Sequence, residues 1–203
     1  ERRYRASCRL LEALLPLVGA GDFVVLSGSV PPGLEPSALK DLARALKDAG
    51  GAVVADTSGA PLAEIARAAL GLKVLRMDQA EAEELVGRKL GSAEETADVG
   101  SDLVASGAAE IAILARGAEG SVLVTATERW FAPAADVPVV SVTGAGDSFV
   151  AGATLALSRD MALQDVLCWG SCGASAAVTT EATELCDPDV FEMILSQCRA
   201  EPI

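Results

Sequence analysis

The 203-residue chain reads as an α/β protein in three layers, a mainly parallel sheet with helices on both faces. Two observations predict this. Short β-branched or apolar runs alternate with helix-length segments, the pattern of βαβ units. In addition, 51% of the residues are apolar, with many Ala, Val and Leu, which suits strands buried on both sides. The length suffices for one domain with a core of its own, so residues 1–203 are taken as a single unit.

The elements follow in order. Residues 3–18 carry Leu10, Leu11, Leu14, Leu15 and Val18 at helical spacing. Residues 22–27 form a short buried strand ending in Gly28-Ser29-Val30-Pro31-Pro32-Gly33, a run of turn residues. A helix over 36–49 is closed by Gly50-Gly51. Residues 52–56 are the next strand, and Thr57-Ser58-Gly59 leads into a helix over 60–70. Residues 73–77 are a strand, after which Asp78 caps a helix running to Val86. Ser92-Ala93-Glu94-Glu95 opens another helix as a capping box. A strand over 110–115, the turn Arg116-Gly117-Ala118-Glu119-Gly120, a strand over 121–125 and an antiparallel neighbour over 128–132 follow. Residues 137–142 are β-branched and read as a further strand. Helices over 145–158, 162–179 and 188–199 complete the chain. The loops at 28–33, 57–59, 78–81, 116–120 and 143–147 all follow strands. They are expected to converge on one sheet edge, where such folds bind ligands.

Ser141-Val142-Thr143-Gly144-Ala145-Gly146-Asp147-Ser148-Phe149 is the most telling run. Strand, glycine turn and helix start would expose unpaired backbone N–H groups beside the positive end of a helix dipole, a place for an anion such as a phosphate. Glycine lets that anion approach the backbone. A carboxylate at Asp147 would repel the anion, unless its work is to take a proton from an attacking hydroxyl. The same residues also read as a plain strand-to-helix turn with Asp147 as a first-turn acid. No Gly-Lys-Ser/Thr follows, which excludes a P-loop, and Phe149 occupies the third-glycine position of a dinucleotide fingerprint.

Composition narrows the chemistry. A net charge of −13 argues against a nucleic-acid surface; phosphorylated ligands would need positive potential concentrated locally. Histidine is absent, which removes His-based nucleophilic catalysis and His-ligated metals. The five cysteines (Cys8, Cys168, Cys172, Cys186, Cys198) form no Cys-x-x-Cys pair and read as free thiols in a reducing compartment. No targeting segment or membrane-length apolar run is present, so a cytoplasmic protein without membrane partners is expected. The chain starts Glu1-Arg2-Arg3 rather than with Met, and is expected to be a piece of something longer.

The run from Ser141 to Thr154 resembles the C-terminal signature of the PfkB sugar kinases, the ribokinase-like family, and the Ser-Val-Thr before its glycines resembles the hexose-phosphate branch (1-phosphofructokinase, tagatose-6-phosphate kinase). Ser27-Gly28-Ser29-Val30-Pro31-Pro32-Gly33 and Asp56-Thr57-Ser58-Gly59 resemble segments of the same branch. Arg76-Met77-Asp78-Gln79-Ala80-Glu81 lies where the family has Lys-Pro-Asn-x-x-Glu, with Glu81 kept and Arg76, Met77 and Asp78 departing. Ala115-Arg116-Gly117-Ala118-Glu119-Gly120 is similar to the nucleotide loop, though Ala115 lacks the usual hydroxyl. Residues 177–183 and 185–188 resemble, more weakly, the region flanking adenine. The resemblance implies a ribokinase-like α/β/α fold whose N-terminal part and lid are missing. It implies ATP and Mg²⁺, and a sugar phosphate as acceptor: fructose 1-phosphate, fructose 6-phosphate or tagatose 6-phosphate. Asp147 would be the base, with Gly144, Ala145 and Gly146 as the anion hole. Arg116, Gly117, Gly120, Thr143 and Asp78 would meet the nucleotide, Ser27, Gly28 and Asp147 the substrate, and Glu81 with Asp78 the metal. The absent lid commonly mediates dimers, so a homodimer is expected of the full-length protein. The alternative from another class is a truncated, inactive nucleotide-binding fragment.

Overall fold

The structure, a computed structural model, describes residues 9–182, 184 and 186–203. Their seven strands form one sheet whose spatial order equals their chain order. β1 (Phe23–Ser27), β2 (Ala52–Asp56), β3 (Leu72–Asp78) and β4 (Ala109–Ala115) are parallel neighbours. β5 (Ser121–Val124), β6 (Arg129–Ala132) and β7 (Glu201–Pro202) continue antiparallel. Residues 9–14 are helical, within the segment expected to be a helix; the part before Arg9 lies outside the described residues, as do Thr183 and Leu185.

The pleat of the sheet separates two cores. Val53 and Ala55 of β2, Leu75 and Met77 of β3, and Ala112 and Leu114 of β4 are buried on one face. That face is covered by α1 (Ser37–Asp48), α2 (Gly59–Arg67), α3 (Gln79–Val86) and α4 (Ala93–Ala105). The intervening Val54, Val74, Ile111 and Ile113 face the other way, onto Phe149, Val150, Ala153, Val166 and Leu167. These belong to α5 (Ala145–Ser158) and α6 (Leu163–Ala177). The three-layer arrangement is therefore present, built from the period-2 alternation of each strand. α7 (Pro188–Gln197) packs on α6.

Most boundaries agree with the sequence to within a few residues, and three differences stand out. Residues 137–142 form no strand. The outer edge of β6 is taken by β7, with Trp130 opposite Pro202 and Phe131 opposite Glu201. Pro133 and Pro138 could not donate to a ladder there in any case. The run is tied instead to the end of α6, Val140 N–H and Ser141 N–H both donating to the Val178 carbonyl at 2.7 and 3.2 Å. Second, the reciprocal capping box falls at Asp78 and Glu81. At the start of α4, Ser92 accepts from Glu95 N–H, but the Glu95 carboxylate accepts from Gly91 N–H, one residue upstream of the cap. Third, β7 carries no recognisable strand signal, being two residues long and including a proline.

The α5–α6 contact has a glycine seam. A Cβ on Gly152 would lie 2.5 Å from the Trp169 carbonyl oxygen, and one on Gly173 2.6 Å from that of Ser148. Close approach of the two backbones fixes where α5 begins, and so where Asp147 sits.

Candidate active site

Ser27, Asp56 and Arg76 are Cα partners across β1, β2 and β3. Each lies two residues beyond Val25, Val54 or Val74, which are themselves in register. Period-2 alternation therefore sets all three side chains on the α5 face, at the carboxyl ends of the strands.

Arg76 and Asp56 form an ion pair there, Nη1 to Oδ1 at 3.0 Å, with side chains only 14% and 12% exposed. The Arg76 guanidinium also stands over the Phe149 ring, 6.0 Å from its centroid, and its buried Nε has no partner among the described residues. It presses against the first turn of α5, since a Cβ on Gly146 would come within 3.3 Å of Nη1. The turn before that helix uses Gly144 at φ 82°, the left-handed conformation that favours glycine. No side chain caps α5, so its first-turn N–H groups are presented without a side-chain acceptor. Ser141 Oγ accepts from Thr143 N–H at 3.2 Å, shaping the approach.

Asp147, in that first turn, is exposed, and its Oδ1 accepts a hydrogen bond from Ser27 Oγ at 3.0 Å. Gly28 and Thr57 lock the neighbouring loops: Gly28 N–H donates to the Asp56 carbonyl at 2.9 Å, and Thr57 Oγ1 donates to the Gly28 carbonyl at 2.7 Å. The structure thus brings together Ser27, Gly28, Gly144, Ala145, Gly146 and Asp147, as expected. Asp56, Thr57 and Arg76, which the sequence places in family-like segments, join them at the same edge. The available signal was strand parity, legible once the register is known.

Asp78 and Glu81 lie at the end of β3 and the start of α3. Asp78 Oδ1 accepts from Glu81 N–H at 2.9 Å and Glu81 Oε2 accepts from Asp78 N–H at 2.7 Å. Burial raises the Glu81 pKa above its ordinary value; the backbone bond from Asp78 opposes that, Asp78 and Asp56 add to it, and Arg76 pulls it down. These carboxylates are therefore within electrostatic reach of the Arg76 site, and one oxygen of each serves as a helix cap. Among the described residues no three His, Cys, Asp or Glu groups are arranged to hold a metal ion.

The nucleotide-loop reading of Arg116 changes. Its side chain is almost wholly buried, donating to the Ser92 carbonyl at 2.8 Å and to Thr96 Oγ1, and pairing with Glu119. The guanidinium braces the start of α4 rather than offering itself to an anion. Gly117 and Gly120 keep left-handed φ values of 57° and 132°, and Arg116 N–H closes the turn onto the Gly120 carbonyl at 2.8 Å. Gly120 abuts Ala132 and Pro133 so closely that a Cβ would overlap them. Beyond Pro133 lies a cavity of about 370 Å³ lined by Ala135, Ser171, Cys172, Ser175 and Cys198 among others. Ser171 Oγ is buried in that lining and has no partner among the described residues.

In this three-layer α/β/α domain the start of α5, without a side-chain cap and with a carboxylate in its first turn, lies beside the carboxyl ends of β1, β2 and β3. Residues 4–190 match the model of the pfkB family carbohydrate kinases, and the chain belongs to that family. It is 30% identical over 187 residues to ATP-dependent 6-phosphofructokinase isozyme 2 of Escherichia coli, covering 92% of this chain and 60% of that protein. It is 31% identical over 197 residues to 1-phosphofructokinase of Borreliella burgdorferi, covering 96% and 62%. The crystal structure of Escherichia coli phosphofructokinase-2 in complex with substrates and products superposes with a TM-score of 0.86 at 29% identity, covering 93% of this chain and 61% of that one. The fold is therefore ribokinase-like, and the chain spans about 60% of the length of these relatives. Among the described residues no helix is long and apolar enough to cross a membrane.

Proposed function

We propose that the protein to which this chain belongs transfers the γ-phosphoryl group of ATP to a hydroxyl of a phosphorylated hexose: fructose 1-phosphate, fructose 6-phosphate or tagatose 6-phosphate. The observation that carries the reading is the Asp147 carboxylate, oriented by Ser27 at the uncapped start of α5. The two relatives described above are named as fructose-phosphate kinases, which supports it independently.

In this reading Asp147 takes the proton of the sugar hydroxyl as its oxygen bonds to the γ-phosphorus and the bond to the β–γ bridging oxygen breaks, leaving ADP. N–H groups of Gly144, Ala145 and Gly146 stabilise the phosphoryl oxygens, with the helix dipole behind them. The Arg76 guanidinium, paired with Asp56, stands beside Gly146 and would border the phosphoryl group. Asp78 and Glu81, whose carboxylates cap α3, would stand behind Mg²⁺, which when bound would offset the negative charge of the phosphate oxygens. Ser27 and Gly28 border the acceptor. Thr143, Gly117 and Gly120 border the nucleotide, whose base would enter the cavity past Pro133, beside Ser171 and Ser175.

The test is ADP release from Mg-ATP by the intact protein with each of the three sugar phosphates, alongside its intact mass. Turnover with one of them supports the reading and names the substrate; no turnover with any contradicts it. A second reading is favoured by the 60% coverage of the relatives. In it this span alone binds ATP without turning it over. Nucleotide binding without ADP release by a protein of 20.6 kDa is its expected result.

A further inference from the structure

The first turn of α5 rests on the Arg76 side chain. A Cβ on Gly146 would lie 3.3 Å from Nη1, 3.5 Å from Nη2 and 3.6 Å from Cζ, so the guanidinium stands against the Gly146 backbone where any side chain would crowd it. The Phe149 ring meets the same group, its centroid 6.0 Å from Cζ. Gly146 and Phe149 are three residues apart and so share a helix face. On the sheet side Nη1 is held by Asp56 Oδ1 at 3.0 Å. A planar cation is thus wedged between the end of β2 and the start of α5. Within that turn Ser148 N–H donates to the Gly144 carbonyl at 2.9 Å, the bond that closes the turn carrying Gly144, Ala145, Gly146 and Asp147.

We propose that Arg76 is a positioning residue whose guanidinium, anchored on Asp56, props the Gly144–Asp147 turn against the strand ends by its shape rather than by its charge alone. The effect on turnover rests on the kinase reading; the prop itself does not. The turn is tied to the sheet from two strands. Ser27 of β1 holds the Asp147 carboxylate, and Arg76 of β3 supports Gly146. Together they set the separation between the carboxylate proposed as base and the N–H groups proposed for the phosphoryl oxygens.

Lysine at this position would keep the charge. Its ammonium is a point charge on a flexible stem, without a planar face, and cannot both pair with Asp56 and fill the space under Gly146. A residue that acted only by attracting phosphate would tolerate the exchange, whereas a prop does not.

The experiment compares the full-length wild type with Arg76→Lys. Amide hydrogen exchange is the first readout: the Ser148 amide should exchange about tenfold faster or more in the variant, with amides in the middle of α6 unchanged. Turnover of Mg-ATP with the best of the three sugar phosphates is the second: kcat should fall by about 10–100-fold with KM for ATP unchanged. Asp56→Asn keeps an acceptor for Nη1 but not its charge. It should show the same pattern more weakly, and it replaces Arg76→Lys if that variant does not fold. An unchanged Ser148 exchange rate overturns the proposal. So does a raised KM for ATP with kcat kept, the mark of a phosphate ligand. If the wild type turns over none of the sugar phosphates, the kinase reading fails, and Ser148 exchange alone decides whether Arg76 is the prop.

Discussion

Ser27 and Asp147, 120 residues apart, meet through a 3.0 Å hydrogen bond in which the Ser27 hydroxyl donates to Asp147 Oδ1. One residue ends the edge strand β1 and the other opens α5 on the far side of the chain. The bond therefore reports that sheet and helix are assembled in register, and it aims the carboxylate. Ser27→Ala removes the aim without touching the carboxylate proposed as the base. The expected result is a fall in kcat of about 10–100-fold with KM for ATP unchanged, measured by ADP release. An unchanged kcat would mean that Ser27 does not position Asp147.

The Asp56–Arg76 pair is nearly enclosed, so removing one partner leaves an uncompensated charge. Arg76→Met is expected to destabilise the fold by about 3 kcal/mol, the low end of the range for breaking a buried pair because both groups keep some exposure. Arg76→Met with Asp56→Asn should recover much of that loss. Urea denaturation of the single and double variants measures the coupling.

Gly152 lies under the Trp169 carbonyl, and the obstacle is backbone, which cannot swing aside. Gly152→Ala should cost about 1–3 kcal/mol, lowering Tm by roughly 2–4 °C per kcal/mol for a chain of this size. Gly91→Ala, whose Cβ would meet only the Glu95 carboxylate at 3.7 Å, is the control and should leave Tm nearly unchanged.

Glu83 holds the segment after α3. Its carboxylate accepts from Lys89 Nζ at 2.6 Å, from Leu90 N–H at 3.0 Å and from Gln79 at 3.2 Å. The Lys89 and Leu90 bonds lead in lowering its pKa from 4.5 to about 2. A depressed carboxylate pKa contributes stability above the unfolded value that is lost as pH falls through the folded one. The stability difference between the wild type and Glu83→Gln should therefore be present at pH 7 and shrink between pH 4.5 and pH 2. Urea midpoints at pH 7 and pH 3 check it.

Much of this was legible in the residues. Alternation of strand and helix signals foretold the three layers, and α5 begins and ends where its glycines and small residues place it. The Gly144–Asp147 turn was readable because it is local, as was the cap at Asp78. What could not be read depends on neighbours. Residues 137–142 carry strand propensity, but two residues from the far C-terminus occupy the edge beside β6. Arg116 looks like a cation in a glycine loop, yet Ser92 and Thr96, 24 and 20 residues upstream, draw its guanidinium inward. Arg76 and Asp56 become partners only through the register of β2 and β3. The glycine seam reads in sequence as weak helix until two helices are laid together.

The most direct test is Asp147→Asn, which keeps the size of the side chain and its bond to Ser27 while removing the proton acceptor. Measured with Mg-ATP and the best sugar phosphate on the full-length protein, kcat is predicted to fall by about 10²–10⁴-fold with ATP affinity unchanged. An undiminished kcat would contradict the assignment of Asp147 as the base.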